Sequence, residues 1–170
     1  VCKIRKFLDA NVPNEKIIRE KRITDAFANI LPVKIPKIDI LRFGNMTFYK
    51  YNFIHGVNLN KMSQKTITEN QEKIAKQLAN FIHIMHNSNV PEIDDLKTND
   101  GDGWNHHDIC NNMLVDKNMN IVGMIDWEYA GWGPLETEIQ NCTIFSRKMR
   151  NTNIDKLIRA EYKKLNNKKL

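Results

Sequence analysis

Three oxygen-bearing side chains lie within one stretch of the sequence, which runs from His106 to Pro134. Asp108 is followed by Asn112, and Asp126 ends the next apolar run. A carboxylate can accept the proton of a hydroxyl group, and an Asn–Asp pair supplies the oxygen ligands that Mg²⁺ prefers. Phosphoryl transfer requires this combination of groups. We therefore expect the three side chains to share one site.

Two short strands must position these side chains. The apolar runs Met113–Val115 and 121–125 are separated by the polar segment Asp116–Asn120, a pattern that predicts a β-hairpin. The first Asp and the Asn lie at the entrance of one strand, and Asp126 lies at the exit of the other. The hairpin should therefore deliver all three side chains to the same end.

The residues around this hairpin resemble the signature of the aminoglycoside phosphotransferase and choline kinase family, a small-molecule branch of the protein-kinase fold. The residues that carry the resemblance are His107, Asp108, Asn112, the segment Ile125–Glu128 and its continuation Tyr129–Trp132. The spacing of Pro134 and Glu138 resembles the pattern in eukaryotic members of this family.

One feature of the loop departs from the family pattern. The family usually has four residues between the catalytic Asp and the Asn, whereas three separate Asp108 from Asn112. A residue spans roughly 3.3–3.6 Å, so a shorter loop can displace the second side chain by several ångströms. Asn111 is an alternative ligand; we prefer Asn112 because it directly precedes the apolar strand.

The resemblance implies the catalytic roles. Asp108 would accept the proton of the acceptor hydroxyl, while Asn112 and Asp126 would hold Mg²⁺ against the phosphates of ATP or GTP. His107 would brace the loop by hydrogen bonding. The partners implied are a nucleotide and a small-molecule acceptor.

The resemblance also implies nucleotide contacts outside the hairpin. Lys3 would hold the phosphates, and Glu20 would orient that lysine. Phe53 and Ile54 would belong to a hinge whose main chain meets the base. The alternatives are ordinary solvent-facing residues for the first pair and core packing for the second.

The implied fold class is α+β, a protein-kinase-like fold. Residues 1–55 would form a partial N-terminal sheet lobe, and residues 56–170 a mainly helical lobe that contains the catalytic β-hairpin. Hydrophobic periodicity predicts the following elements: strands over 1–7, 38–43 and 46–53, and helices over 15–31, 66–86, 135–145 and 154–165. The chain has no Gly-x-Gly-x-x-Gly segment. The family's glycine-bearing turn would precede Val1 and its further helices would follow residue 165, so we expect a chain cut short at both ends.

Composition limits the other classes of function. The chain has 170 residues and a net charge of +6. Its basic C-terminal segment, Lys156–Lys169, has apolar residues at helical spacing, which favours a solvated helix face over a nucleic-acid or membrane surface. Three cysteines without paired spacing argue against a disulfide framework. We expect a cytoplasmic protein that binds neither nucleic acid nor membrane; its oligomeric state stays open.

Two other functions compete with the kinase interpretation. A catalytically inactive kinase-like remnant, acting as a binding or scaffold module, would fit the short loop. A metallohydrolase would use His106, His107, Asp108 and Cys110, but adjacent residues of an extended segment point to opposite sides. We expect His83 and His86 to be packed or capping residues.

The resemblance also implies a class of acceptor. An aminoglycoside, choline, ethanolamine or a related amino alcohol would suit the family, and protein substrates are disfavoured. Four aromatic residues either form a cage for a quaternary ammonium or belong to the core: Trp104, Trp127, Tyr129 and Trp132. Three acidic residues either face a cationic sugar or lie on a helix surface: Glu128, Glu136 and Glu138.

Overall fold

The structure, a computed structural model, has a three-stranded antiparallel sheet at its N-terminal end. It describes residues 3–8, 15–43, 46–144 and 146–167, with the backbone alone for 3–8, 42–43 and 46–48. The strands β1 (Lys3–Leu8), β2 (Ile38–Phe43) and β3 (Met46–Tyr51) are arranged in the order β1-β3-β2. All three were predicted. The turn expected at Gly44 and Asn45 lies outside the described residues.

Helix α1 (Glu15–Phe27) packs on the core through Ile23 and Phe27, both fully buried. The ring of Phe27 stacks on Trp127 with centroids 6.2 Å apart. The prediction that this helix continues to residue 31 was wrong. After Phe27 the chain turns, and the amide of Ile30 donates to the Phe27 carbonyl at 3.0 Å, while Pro32 cannot donate to a further helical turn.

The predicted hairpin is present. Strands β6 (Met113–Val115) and β7 (Ile121–Met124) are antiparallel, with Met113 opposite Met124. The short strand β4 (Val57–Asn58) adds to β6. The linker between α1 and β2 is tied to the hairpin at Lys34, whose amide donates to Val122 and whose carbonyl accepts from Met124. The N-terminal sheet is thereby connected to the strand that leads to Asp126.

The helix predicted over 66–86 is two helices, α2 (Gln64–Glu69) and α3 (Gln71–His86). They are separated at Asn70, whose φ of −111° is not helical and whose side chain donates to the Thr66 carbonyl at 2.8 Å. That local bond competes with continuation of the helix. The predicted apolar face is buried, and it comprises Ile67, Ile74, Leu78, Phe81, Ile82 and Met85.

The remaining elements surround the hairpin and complete the helical part. They are β5 (Gly103–Asn105), α4 (Ile109–Asn112), β8 (Gly131–Gly133), α5 (Leu135–Ile144), α6 (Arg147–Arg150) and α7 (Ile154–Asn167). Strand β5 pairs with β8, a pairing that was not predicted. His83 and His86 are buried beside Tyr162 and Asn105 respectively, as expected for packed residues. Within the described ranges, no helix has the length and apolar character needed to cross a membrane.

Candidate active site

The carboxylate of Asp108 is held by two neighbouring amides. Asn111 donates to Oδ1 at 2.6 Å, and Asn112 donates to Oδ2 at 2.9 Å. Burial raises the pKa of Asp108, the two amides oppose that effect, and the negative charge of Asp126 adds to it. A carboxylate with a raised pKa is a better proton acceptor near neutral pH.

The hairpin brings Asn112 and Asp126 to the same end, as predicted. The amide of Ile125, the residue before Asp126, donates to the Asn112 carbonyl at 3.1 Å. Asp126 has a φ of 63°, in the left-handed region, which non-glycine residues adopt rarely and which concentrates at functional sites. Next to it, Trp127 is fully buried, so the surrounding packing fixes this unusual conformation.

The ring of His106 joins the Asp108 loop to the Asp126 strand. Its Nε2 lies 3.1 Å from the Ile125 carbonyl, and its Nδ1 accepts from the Asp108 amide at 3.3 Å. Burial lowers the pKa of His106 to about 4, so the ring is neutral with its proton on Nε2. Both nitrogens are thus occupied, which leaves no lone pair for the zinc of a metallohydrolase. His107 also braces the loop by hydrogen bonding, as expected, through its backbone amide and carbonyl. The role of the His106 ring was not predicted.

Glu138 fixes the backbone just before Asp108. It is 1% exposed, and its two oxygens accept from the amides of His106 at 3.0 Å and His107 at 2.7 Å. Burial raises the pKa of Glu138 to about 7, against the effect of these hydrogen bonds. The expectation that Glu138 lies on a helix surface or faces a cationic sugar was therefore wrong. Its spacing could have shown this, because Leu135, Ile139 and Cys142 lie on the same helical face.

A cleft of about 320 Å³ lies between the sheet and the hairpin. Apolar groups from Pro36, Ile54, Leu114 and Ile125 line it, and Asn112, Asp126 and Glu20 give it a polar end. Phe53 also lines the cleft and is 55% exposed, whereas Ile54 is 8% exposed. Such a cleft suits a ligand with a flat apolar part and a charged part.

Glu20 lies at the polar end of this cleft and is 2% exposed. Its oxygens accept from the Trp127 amide at 3.2 Å and from the Tyr51 hydroxyl at 3.4 Å. Lys3 is opposite Tyr51 in the β1–β3 register, but its side chain lies outside what the structure describes. The predicted contact between Lys3 and Glu20 therefore stays a prediction.

The residues at the polar end fit a magnesium ion. Asp126 supplies a carboxylate. The side-chain nitrogen of Asn112 donates to Asp108, so the side-chain oxygen of Asn112 points away from Asp108. No described residue donates a hydrogen bond to that oxygen. Two hard oxygen ligands, with the remainder supplied by water and phosphate, is the usual arrangement for Mg²⁺. Among the residues that the structure covers, no three His, Cys, Asp or Glu side chains converge on one metal position.

The aromatic residues near the site divide into core and surface. Trp104 and Trp127 are buried core residues, so they are not available for a cation cage. Trp132 packs edge-on against Trp104 and lies beneath the Lys97 ammonium. Tyr129 is 63% exposed and follows Asp126 by three residues.

Part of the chain matches a known protein family. Residues 92–162 match the model of the phosphotransferase enzyme family. A comparison with curated proteins gives no match. The resemblance predicted from the hairpin residues is confirmed over the matched range.

Solved structures share the fold at low sequence identity. Macrolide 2'-phosphotransferase MphH from Brachybacterium faecium aligns with a TM-score of 0.64 and 12% identity, over 88% of this chain and 64% of that one. The streptomycin–ATP–APH(2")-IIa ternary complex aligns with a TM-score of 0.60 and 14% identity, over 90% of this chain and 68% of that one. The GDP complex of aminoglycoside 2'-phosphotransferase-IIIa aligns with a TM-score of 0.60 and 15% identity, over 86% of this chain and 70% of that one. The α+β protein-kinase-like fold is therefore confirmed.

Proposed function

We propose that this chain is a small-molecule kinase, which transfers the terminal phosphoryl group of ATP to a hydroxyl group with the help of Mg²⁺. One observation carries the proposal: Asn112 and Asp126 line the same cleft, and the Asn112 amide donates to the Asp108 carboxylate at 2.9 Å. The family match over residues 92–162 supports the same class of reaction.

In this proposal Asp108 is the catalytic base. Its carboxylate takes up the proton of the acceptor hydroxyl as the oxygen attacks the terminal phosphorus, and the bond to the leaving diphosphate breaks. Asn112 and Asp126 would hold the Mg²⁺, which when bound neutralises charge on the phosphates. His106 and Glu138 keep the loop in place by the hydrogen bonds described above.

The nucleotide would occupy the cleft between sheet and hairpin. Its base would pack between the apolar walls near Ile54, and the main chain around Phe53 would meet the base edge. The phosphates would reach the polar end, where we propose that Lys3 binds them and Glu20 orients Lys3. The side chains at this position do not indicate which base is bound, so GTP is a second candidate donor.

For the acceptor, we propose a small molecule with an amino group near the reacting hydroxyl, such as an aminoglycoside, choline or ethanolamine. The carboxylate of Asp108 adds negative charge where the acceptor would bind, which favours a cationic acceptor. The exposed ring of Tyr129 offers a face for an ammonium group.

A transfer screen tests this proposal. Purified protein is incubated with [γ-³²P]ATP and Mg²⁺ against choline, ethanolamine, aminoglycosides and related amino alcohols, and labelled product is separated and counted. The proposal expects Mg²⁺-dependent label in at least one acceptor. If none of the acceptors in a broad panel becomes labelled, the proposal is contradicted.

The second candidate is a kinase-like binding module without activity. The observation that favours it is the short loop, in which both Asp108 oxygens already accept hydrogen bonds. This candidate expects a nucleotide or ligand to bind while no acceptor is phosphorylated. The same screen, run beside a nucleotide-binding titration, separates the two functions.

A further inference from the structure

We propose that Asn111 is a positioning residue for the phosphoryl transfer proposed above, holding the Asp108 carboxylate in the orientation that meets the acceptor hydroxyl. The inference rests on that proposed function. Its basis is the 2.6 Å hydrogen bond from the Asn111 amide to Asp108 Oδ1, together with the contacts that fix Asn111 itself.

Two residues outside the loop, Ser146 and Asn60, determine which way the Asn111 amide points. Ser146 is 2% exposed, and its hydroxyl donates to Asn60 Oδ1 at 2.8 Å. The Asn60 amide therefore presents its nitrogen to Asn111 Oδ1, at 2.6 Å. Asn111 must then present its own nitrogen to Asp108, because an amide has one acceptor end and one donor end.

The start of this chain of hydrogen bonds is anchored as well. The amide of Met149 donates to the Ser146 hydroxyl at 3.4 Å, which leaves the hydroxyl proton for Asn60. Lys148 donates to the carbonyls of Asn60, at 2.6 Å, and Met62. Asn58 donates to the Asn111 carbonyl at 2.5 Å. Both the backbone and the side chain of Asn111 are thus held from the segment that follows the hinge.

The shortened loop explains why this position has such a role. Helix α4 (Ile109–Asn112) starts directly after Asp108, so Asn111 and Asn112 come three and four residues after it. Residues at these spacings lie on the same side of a helix, and both amides therefore reach the carboxylate. Asn112 is left to serve the metal with its oxygen, while Asn111 contributes only orientation.

The test compares Asn111→Ala and Asn60→Ala with wild-type protein. Steady-state transfer uses Mg·ATP and the best acceptor of the screen, and calorimetry measures Mg·ATP affinity. Loss of the hydrogen bond that orients the carboxylate should reduce kcat by roughly 10- to 100-fold, while the Kd for Mg·ATP stays close to wild type. Asn111→Asp keeps the shape but removes the donor, so it should lose at least as much. Asn118→Ala, in the exposed turn of the hairpin, is the matched control and should retain full kcat.

A double variant gives the sharpest result. If Asn60 acts through Asn111, the Asn60→Ala/Asn111→Ala protein loses no more kcat than Asn111→Ala alone. Losses that multiply, a loss confined to Mg·ATP affinity, or wild-type kcat in both single variants would overturn the inference. Asp108→Asn separates the proposed function from the role of Asn111. If Asp108→Asn is inactive while Asn111→Ala is fully active, only the role of Asn111 is refuted. Wild-type protein that phosphorylates no acceptor refutes the proposed function and this inference with it.

Discussion

Replacing Glu138 by Gln changes the best-buried carboxyl group of the site without changing its shape. In the folded protein burial raises the pKa of Glu138 to about 7, whereas its ordinary value is 4.5. The folded state therefore holds this proton more tightly than the unfolded state. It follows that the stability contributed by the protonated group is fully present below about pH 4.5 and is lost as the pH rises through about 7.

The size of the effect follows from the two pKa values. A difference of about 2.5 between them corresponds to about 3 kcal/mol of unfolding free energy. Glutamine does not titrate, so Glu138→Gln lacks this pH-dependent contribution. Other groups titrate in the same range in both proteins, and their effects cancel when the two are compared.

Urea unfolding at pH 4.5 and at pH 8 measures this difference. We expect the stability of wild type relative to Glu138→Gln to fall by about 3 kcal/mol between the two pH values. Glu136→Gln is the matched control on the same helix, because Arg159 lowers the pKa of the exposed Glu136, so no such fall is expected. A wild-type stability that runs parallel to that of Glu138→Gln over the whole range would refute the reasoning.

Two further predictions concern the same region. His106→Gln removes a buried neutral ring whose pKa is lowered to about 4. The stability of wild type relative to the variant should therefore rise by roughly 3 kcal/mol from pH 4 to pH 6.5 in urea unfolding. If the stabilities of the two proteins change in parallel over this range, the prediction is contradicted. Gly103→Ala places a Cβ 2.4 Å from His86 ring and carbonyl atoms, so we expect destabilisation of about 1–3 kcal/mol in thermal unfolding. Gly131→Ala is its control, since that Cβ meets the flexible end of Arg19 and should cost less; equal losses would contradict the steric argument.

The hairpin was predictable because local patterns specify it. Two apolar runs flank a polar turn, and the turn is closed by Asp116, whose Oδ1 accepts from the amides of Asn118 and Asn120. The apolar face of α3 follows from its periodicity in the same way. Such signals depend on neighbours within a few residues, which is why they appear in a single sequence.

The residues that support the site were missed because their roles depend on distant contacts. Glu138 reaches the loop from a helix about thirty residues further along the chain, and Asn60 reaches Asn111 from the segment after strand β4. Strands β5 and β8 are three residues each, and they are held by the packing of Trp104 on Trp132 and not by a long alternating pattern. The break at Asn70 depends on one side-chain hydrogen bond that periodicity does not detect.

The proposed function requires Asp126 and Asn112 to bind a metal–nucleotide complex beside Asp108. Calorimetric titration of ATP with Mg²⁺ or with EDTA, into wild type, Asp126→Ala and Asp108→Asn, tests this most directly. We predict that wild type and Asp108→Asn bind ATP at least about tenfold more tightly with Mg²⁺, a difference of about 1.4 kcal/mol, and that Asp126→Ala loses this difference. The proposed function is contradicted if wild type binds ATP equally well with and without Mg²⁺. It is also contradicted if Asp126→Ala keeps the Mg²⁺ dependence of ATP binding.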